Sequence, residues 1–382
     1  MSKIIHQIIQ RKMSTQTPQC LIIGAGGVGV VTAYSLFLNK GSTVSLVARS
    51  DYDKASTTGY KLSSCDYGEV LNWKPHHLFR SVEDAASSKT FFDYVVVTTK
   101  NIPDGPTPVS SIIKPIIESN DKVWKERADF KEQKKTTNVV LIQNGIDIEN
   151  EIKEKFDLAS RQKSTTVPQV ALISGIQLIS STKVGPCEIA QKGHDHLTCA
   201  AFDKNDEISV KTAQNFISLY TNPGQNQAHF DSNCRYTRWK KLLYNSSINT
   251  LTAICGLDFT RCLQFGTAEG STEFEIVRPA MLEIIDLAKK IDDITIEVDL
   301  VDFFVDITRK MVYTPSMGVD IQKGQLMEIE VIVGNVVRSA KAHHIEVPHL
   351  SMLYNILKIL QGKLKEQRGL LKFDELNAKI VE

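Results

Sequence analysis

One stretch near the N-terminus decides the fold: Cys20-Leu21-Ile22-Ile23-Gly24-Ala25-Gly26-Gly27-Val28-Gly29. Its apolar start is typical of a strand buried in a parallel sheet, and it runs directly into a GxGxxG pattern. We expect a helix from Val30 to Asn39, ended by Gly41, and a second strand over residues 43–48. The glycines therefore lie at the strand-to-helix turn of a βαβ unit, the context in which GxGxxG binds a dinucleotide.

The glycines of this loop have separate mechanical purposes. Gly24 permits the tight turn, Gly26 lets backbone N–H groups approach a pyrophosphate, and Gly29 lets the helix pack closely on the strand. The helix N-terminus adds positive potential for the phosphates. The predicted cofactor loop consists of Gly24, Ala25, Gly26, Gly27, Val28 and Gly29.

The residues after the second strand distinguish NAD from NADP. An Asp or Glu there would bind the ribose hydroxyls of NAD, but this chain has Ala48-Arg49-Ser50. A guanidinium pairs well with a phosphate dianion. Arg49 therefore predicts NADPH as the cofactor, and only the nearby Asp51 weakens that prediction.

Two further apolar runs, residues 93–100 and 138–145, indicate strands that end in polar residues. Ligands of open α/β sheets bind beyond the carboxyl ends of the strands. Lys100 and Asn144 fall at such ends, so both are candidates to meet the nicotinamide half of the cofactor. The connection over residues 101–137 is predicted to be an exposed insertion around one helix, residues 109–118.

Length and composition bound the remaining possibilities. A chain of 382 residues, 42% hydrophobic, is long enough for two domains. The formal charge of +1 argues against a protein built to coat nucleic acid or anionic membrane, and no apolar run approaches the roughly 18 residues that cross a bilayer. Seven cysteines without a CxxC pair indicate reduced, mostly buried thiols.

Two segments invite a special interpretation. The first 50 residues lack Asp and Glu, which fits a mitochondrial presequence as well as a frayed leader over residues 1–18. We predict a cytoplasmic protein, with a mitochondrial location as the alternative. His194-Asp195-His196 could suggest a metal, but no further ligand stands at suitable spacing, so a hairpin turn and no metal site are predicted.

Beyond the turn-rich residues 221–227 the sequence is helical almost to its end. The most informative helix spans residues 235–255, where Lys241, Asn245 and Asn249 recur every four residues along one side. Asparagine is a poorer helix former than Glu, Lys or Gln, the residues that a merely solvated face would favour. This face therefore predicts a hydrogen-bonding wall of a cleft. A lysine held near apolar surface can also have its pKa lowered into the range useful for proton donation.

With these motifs in place, the chain resembles the ketopantoate reductase (2-dehydropantoate 2-reductase) family from Cys20 to about Gln361. The landmarks occur in order: Gly24–Gly29, Thr99-Lys100, Gln143-Asn144-Gly145, Trp239-Lys240-Lys241-Leu242 with Asn245 and Asn249, Ser316-Met317 with Asp320, Glu328-Ile329-Glu330 before Gly334, and residues 342–348.

The resemblance implies roles for individual residues. Lys241 matches the family's general-acid lysine, which protonates the carbonyl oxygen as hydride arrives from NADPH. Asn245 and Asn249 match positions that bind substrate by hydrogen bonds, and Ser316 matches the serine that engages the substrate carboxylate. Glu328 matches a glutamate that contacts the substrate hydroxyl.

The apolar neighbours of Glu328 favour a buried carboxylate paired with Lys241. Lys100 and Asn144 match positions near the nicotinamide ribose and the substrate.

The predicted architecture is α/β. A Rossmann-type domain that binds NADP spans residues 19–226. An all-α catalytic domain like the C-terminal domain of 6-phosphogluconate dehydrogenase spans residues 227–382. The expected reaction is reduction of 2-dehydropantoate to pantoate, with a small 2-ketoacid as partner. A homodimer or higher oligomer through the C-terminal helices stays open.

Departures from the family pattern bear on the substrate. They are Pro315, His344, the long connection over residues 101–137 and the segment over residues 64–75. Two other functions therefore stay open, a related NADPH-dependent ketoacid or ketone reductase and a non-catalytic NADPH-binding regulator.

Overall fold

The computed structural model describes residues 17–266 and 270–381. The predicted leader lies outside these ranges apart from Thr17 and Pro18. One ten-stranded sheet organises the first half of the chain, in the order β4-β3-β9-β8-β7-β6-β1-β2-β5 with β10 beside β9. Its strands are β1 Gln19–Ile23, β2 Thr43–Val47, β3 Tyr60–Ser64, β4 Gly68–Trp73, β5 His77–Phe79, β6 Tyr94–Val97, β7 Thr137–Ile142, β8 Val170–Gly185, β9 Glu188–Ala201 and β10 Gln227–Phe230.

Helices flank the sheet and then form the second half. Those of the first half are α1 Gly27–Asn39, α2 Tyr52–Thr58, α3 Val82–Ser87, α4 Val109–Glu126, α5 Ala128–Glu132, α6 Asn150–Lys155, α7 Leu158–Gln162 and α8 Glu207–Tyr220. Those of the second half are α9 Cys234–Leu243, α10 Asn249–Cys255, α11 Phe259–Phe265, α12 Arg278–Asp292, α13 Asp299–Arg309, α14 Ser316–Gln322, α15 Asn335–Ala342 and α16 Pro348–Gln367. A short hairpin of β11 Lys372–Asp374 and β12 Lys379–Val381 follows α16.

The predicted βαβ unit is confirmed. Strand β1 pairs in parallel with both β2 and β6, and four of its five residues are fully enclosed. Helix α1 begins at Gly27, three residues before the predicted start, because Gly26 has the extended backbone of an N-cap. The parallel sheet followed by a helical region confirms the predicted fold class.

The sheet continues past the predicted boundary at residue 226. Strand β10 pairs in parallel with β9, Gln227 opposite His196, so the helical region begins at Cys234. The connection after β6 also differs from its prediction. Helix α4 extends to Glu126 and buries Ile113, Ile116 and Trp124, so this segment covers the sheet rather than standing free in solvent.

The long antiparallel pair β8 and β9 completes the sheet, as predicted. His194-Asp195-His196 lies within β9 and not in a turn, which corrects the sequence interpretation. Here the β3–β4 turn brings Cys65 and Asp66 to His194, and the three ligand atoms lie within 4.8 Å of one another. Protein donors satisfy Asp66 already, because its carboxylate is hydrogen-bonded to the Gln191 side chain and the Asp195 N–H.

The two halves share one hydrophobic core and dock through backbone contacts. Gly145, which follows β7 with φ +94, lies so close to Val331 that a Cβ would stand 2.4 Å from the Val331 carbonyl oxygen. The Ile146 N–H donates to that same carbonyl at 3.0 Å, and the Asn335 side chain donates back to the Ile146 carbonyl at 2.7 Å. Of the helices in the described ranges, none has both the length and the apolar character to span a bilayer. All seven cysteines are free thiols, five of them buried.

Candidate active site

The predicted catalytic and substrate residues lie where the carboxyl ends of the central strands meet the helical half of the chain. Lys100 follows β6 and Asn144 follows β7, as expected. The helical region contributes Lys241 from α9, Ser316 from the first turn of α14 and Glu328 from the segment before α15. The folded chain thus brings together residues that lie far apart in sequence.

The glycine loop fits a pyrophosphate. No atom lies within 4 Å of the place where a Cβ on Gly26 would stand, so the space above the start of α1 is open. Gly24 has φ +120, which L side chains rarely adopt, and a Cβ on Gly29 would stand 1.8 Å from the Gly24 carbonyl oxygen. These contacts explain why two of the glycines are needed for the fold and Gly26 for the ligand.

Buried polar atoms near the strand ends also fit the nicotinamide half of a cofactor. Within the described residues, Thr99 Oγ1, Asn101 Oδ1 and Gln143 Oε1 are buried without a hydrogen-bond partner. Unpartnered buried acceptors are costly, and a bound ligand with hydroxyl and amide groups would satisfy them.

Acidic side chains near Arg49 are neutralised. Asp51, which weakened the prediction of NADPH, is buried and accepts a hydrogen bond from the Lys183 ammonium at 2.5 Å. Asp53 is paired with Arg80. Arg49 itself is exposed and has no side-chain partner among the residues that the structure describes, so its guanidinium is available to an anion.

Lys241 has the environment of a proton donor. Its ammonium donates a hydrogen bond to the Gln177 carbonyl oxygen at 2.8 Å. Burial and, to a smaller extent, the positive charge of Arg238 lower the pKa of Lys241 to about 8, against the raising effect of the Glu328 carboxylate. A pKa near the working pH is what a general acid needs.

Glu328 differs from its prediction because it does not pair with Lys241. It is 8% exposed. One carboxylate oxygen accepts from the Asn101 N–H at 2.9 Å and the other from the Asn144 side-chain amide at 3.0 Å. Neutral donors from the sheet thus hold Glu328, which influences Lys241 only through its charge.

The predicted helix over residues 235–255 contains a π-helical turn, Tyr244–Ile248, between α9 and α10. A four-residue step advances about 40° beyond a full turn in an α-helix, and the wider π turn offsets that drift. Lys241, Asn245 and Asn249 therefore stay on one face. Asn245 is 7% exposed and its amide has no partner in the described part of the chain, so it is available to a ligand.

Asn249 and Ser316 contact each other. The Asn249 amide donates to Ser316 Oγ at 3.1 Å, and its oxygen accepts from the Met317 N–H at 2.9 Å. Asn249 thus holds the N-terminal turn of α14 and its serine in place. Lys100 is also committed to this helix, because its ammonium pairs with Asp320; burial raises the pKa of Asp320 to about 6, against the lowering effect of Lys100.

Two residues of the site were missed from sequence. Gln177 provides the carbonyl for Lys241 because β8 continues past Gly175, its last partner on β7, and nothing in the sequence marks that edge. Arg238 is buried and donates to the Gly145 carbonyl at 2.6 Å. Its position three residues before Lys241 on the same helix is a signal that could have identified it.

A Rossmann-type sheet, an open glycine loop and a lysine-bearing helical domain define a class, the two-domain nicotinamide-dependent oxidoreductases. Comparisons with known proteins agree. Residues 20–204 match the family profile "Ketopantoate reductase PanE/ApbA", and residues 233–361 match "Ketopantoate reductase PanE/ApbA C terminal". The chain belongs to the ketopantoate reductase family.

The individual relatives do not identify the substrate of this chain. An uncharacterised protein of Saccharomyces cerevisiae is 52% identical over 366 residues, covering 95% of this chain and 99% of the relative. A 2-dehydropantoate 2-reductase of Nostoc is 26% identical over 345 residues, covering 90% and 95%. The crystal structure of 2-dehydropantoate 2-reductase from Methylococcus capsulatus aligns with a TM-score of 0.71 at 27% identity, covering 91% and 97%.

Proposed function

We propose that the protein reduces 2-dehydropantoate to pantoate with NADPH as the hydride donor. The observation that carries this proposal is the ammonium of Lys241, which donates to a single carbonyl oxygen on β8 and shares a helix face with the free amide of Asn245. NADPH, when bound, supplies the hydride. The residues of this chain hold the ketone, stabilise the negative charge that develops on its oxygen, and supply the proton.

The hydrogen bonds of Lys241, Ser316 and Glu328 support a separate role for each residue in this reaction. Lys241 leaves the Gln177 carbonyl for the substrate oxygen and donates its proton there, a step that its lowered pKa favours. Ser316, which Asn249 holds at the first turn of α14, binds the substrate carboxylate. Glu328, fixed by two neutral donors, accepts a hydrogen bond from the substrate hydroxyl.

The preference for NADPH rests on charge. Arg49 is exposed and unpaired within the described residues, while Lys183 neutralises the nearby Asp51. A ribose 2′-phosphate thus meets the positive charge of Arg49, for which Asp51 does not compete.

Purified full-length protein tests the proposal by NADPH oxidation with 2-dehydropantoate and with a panel of branched and unbranched 2-ketoacids. Lys241→Ala should lower kcat by about 10²- to 10⁴-fold. Lys240→Ala, on the adjacent residue, is the matched control and should retain activity.

Each outcome separates the alternatives. Turnover of another ketoacid in place of 2-dehydropantoate supports the related reductase. NADPH binding without turnover above the Lys241→Ala level on any carbonyl supports the non-catalytic regulator and refutes the proposed function.

A further inference from the structure

A second arginine emerges beside Arg49 at the edge of the sheet. Strand β5 pairs in parallel with β2, Val47 opposite Phe79, and the Ala48 N–H donates to the Phe79 carbonyl at 3.0 Å. Because the carboxyl ends of parallel strands meet at one edge, Arg80 lies next to the Ala48-Arg49 turn. Arg80 was not among the residues predicted from sequence.

The Arg80 guanidinium is preorganised. It makes two hydrogen bonds to Asp53, at 2.6 and 3.1 Å, and it lies over the Tyr52 ring at 4.3 Å from the centroid. The backbone N–H of Arg80 donates a hydrogen bond to the Asp84 carboxylate at 3.0 Å. The planar fork is therefore held in one orientation beside the Ala48-Arg49 turn.

The bond to Asp53 is exchangeable. The side chains of Arg80 and Asp53 are 56% and 81% exposed, and exposed ion pairs contribute little net free energy. A phosphate carries more charge than a carboxylate and offers more acceptor oxygens, so it competes well for a guanidinium. Asp51, by contrast, is tied to Lys183 and cannot replace Asp53 as a counterion.

We propose that Arg80 is a second ligand for the cofactor's 2′-phosphate and that Asp53 is the counterion which the phosphate displaces. The inference rests on the proposed use of NADPH. In this proposal Arg49 and Arg80, which follow neighbouring strands, both favour NADPH, and Asp53 opposes its binding.

Two substitutions test this displacement, because they should change the affinity for NADPH in opposite directions. Arg80→Ala should weaken the binding of NADPH about tenfold or more, as loss of a charge-assisted hydrogen bond implies. Asp53→Asn should instead tighten NADPH binding, by about two- to fivefold, because the competing carboxylate is removed. Neither change should alter the Kd of NADH, and Arg80→Lys should restore part of the affinity.

The chain offers a closely matched control. Arg127 makes two hydrogen bonds to Asp129, at 2.8 and 2.7 Å, and lies over the Phe130 ring at 4.3 Å, but it is outside the cofactor site. Arg127→Ala and Asp129→Asn should leave the Kd of NADPH and NADH unchanged.

Equilibrium binding is the readout, by calorimetry with adenosine 2′,5′-bisphosphate against AMP and by titration of NADPH and NADH fluorescence, with circular dichroism to verify the fold. If the unaltered protein binds both members of each pair equally, the proposed use of NADPH fails. If it prefers the 2′-phosphate and Arg49→Ala removes that preference while Arg80→Ala does not, the second ligand is refuted and NADPH stands. If Asp53→Asn weakens NADPH binding, Asp53 is a structural partner of Arg80 and the displacement is refuted.

Discussion

The environment of Lys241 makes a quantitative prediction about pH. The pKa of this lysine is lowered from 10.5 to about 8, chiefly by burial. Raising the pH from 7 to 9 then reduces its protonated fraction from about 0.9 to about 0.1. Only the protonated lysine can donate, so kcat/KM should fall about tenfold over this interval and about tenfold for each further pH unit.

A lysine with its ordinary pKa would behave differently. At 10.5, about 97% of the ammonium would remain protonated at pH 9, and the profile would be nearly flat to pH 10. The assay is the initial rate of NADPH oxidation at low ketoacid concentration, because kcat/KM reports the pKa of the free enzyme.

Two substitutions should move the fall of kcat/KM at alkaline pH, here called the alkaline limb, in opposite directions. Arg238→Gln removes a positive charge that lowers the pKa of Lys241, so the limb should shift to higher pH. Glu328→Gln removes a negative charge that raises the same pKa, so the limb should shift to lower pH. A profile that stays flat to pH 10, or a limb that neither variant moves, would show that Lys241 is not the titrating acid.

Three further substitutions test the site. Gly26→Ala should change the free energy of unfolding by no more than about 0.5 kcal/mol, since no atom contacts the new methyl group, yet it should abolish NADPH binding measured by fluorescence. Gly29→Ala should destabilise the protein by about 1–3 kcal/mol in thermal or denaturant unfolding, because its Cβ would overlap the Gly24 carbonyl; equal stability of both variants would contradict the assigned roles. Asn249→Ala leaves the Ser316 hydroxyl and a buried N–H unpartnered, so steady-state kinetics should show a higher KM for the ketoacid and unfolding a loss of about 1–3 kcal/mol; an unchanged KM would argue against Ser316 as a substrate ligand.

Features encoded locally could be predicted from the sequence. The turn at Gly24–Gly29 is one of these, because conformational freedom and close backbone packing are properties of the glycines themselves. The face of Lys241, Asn245 and Asn249 is another, because four-residue spacing has a geometric meaning within one helix. The π turn that corrects this spacing was not predictable, because it depends on how the helix packs against the remainder of the domain.

Features produced by strand pairing over long separations were missed. His194 was assigned to a turn because no further metal ligand stands near it in sequence, yet it lies within strand β9. Likewise, nothing in the sequence near Gln177 shows that β8 extends beyond its last residue paired with β7 and leaves a carbonyl oxygen without a β7 partner. Arg80 escaped notice because its position beside Arg49 depends on the pairing of β5 with β2.

The partner of Glu328 shows how charge reasoning from sequence can choose the wrong donor. A buried carboxylate requires hydrogen-bond donors, and Lys241 was the cation expected in the same site. The structure uses the neutral Asn101 N–H and the Asn144 amide instead. A direct ion pair would raise the pKa of Lys241 and hold its ammonium away from the substrate. With Glu328 held by neutral groups, Lys241 is left on a single carbonyl oxygen, that of Gln177, from which it can transfer to a ketone. The arrangement that sequence reasoning missed is therefore the one that the proposed role of the lysine as an acid requires.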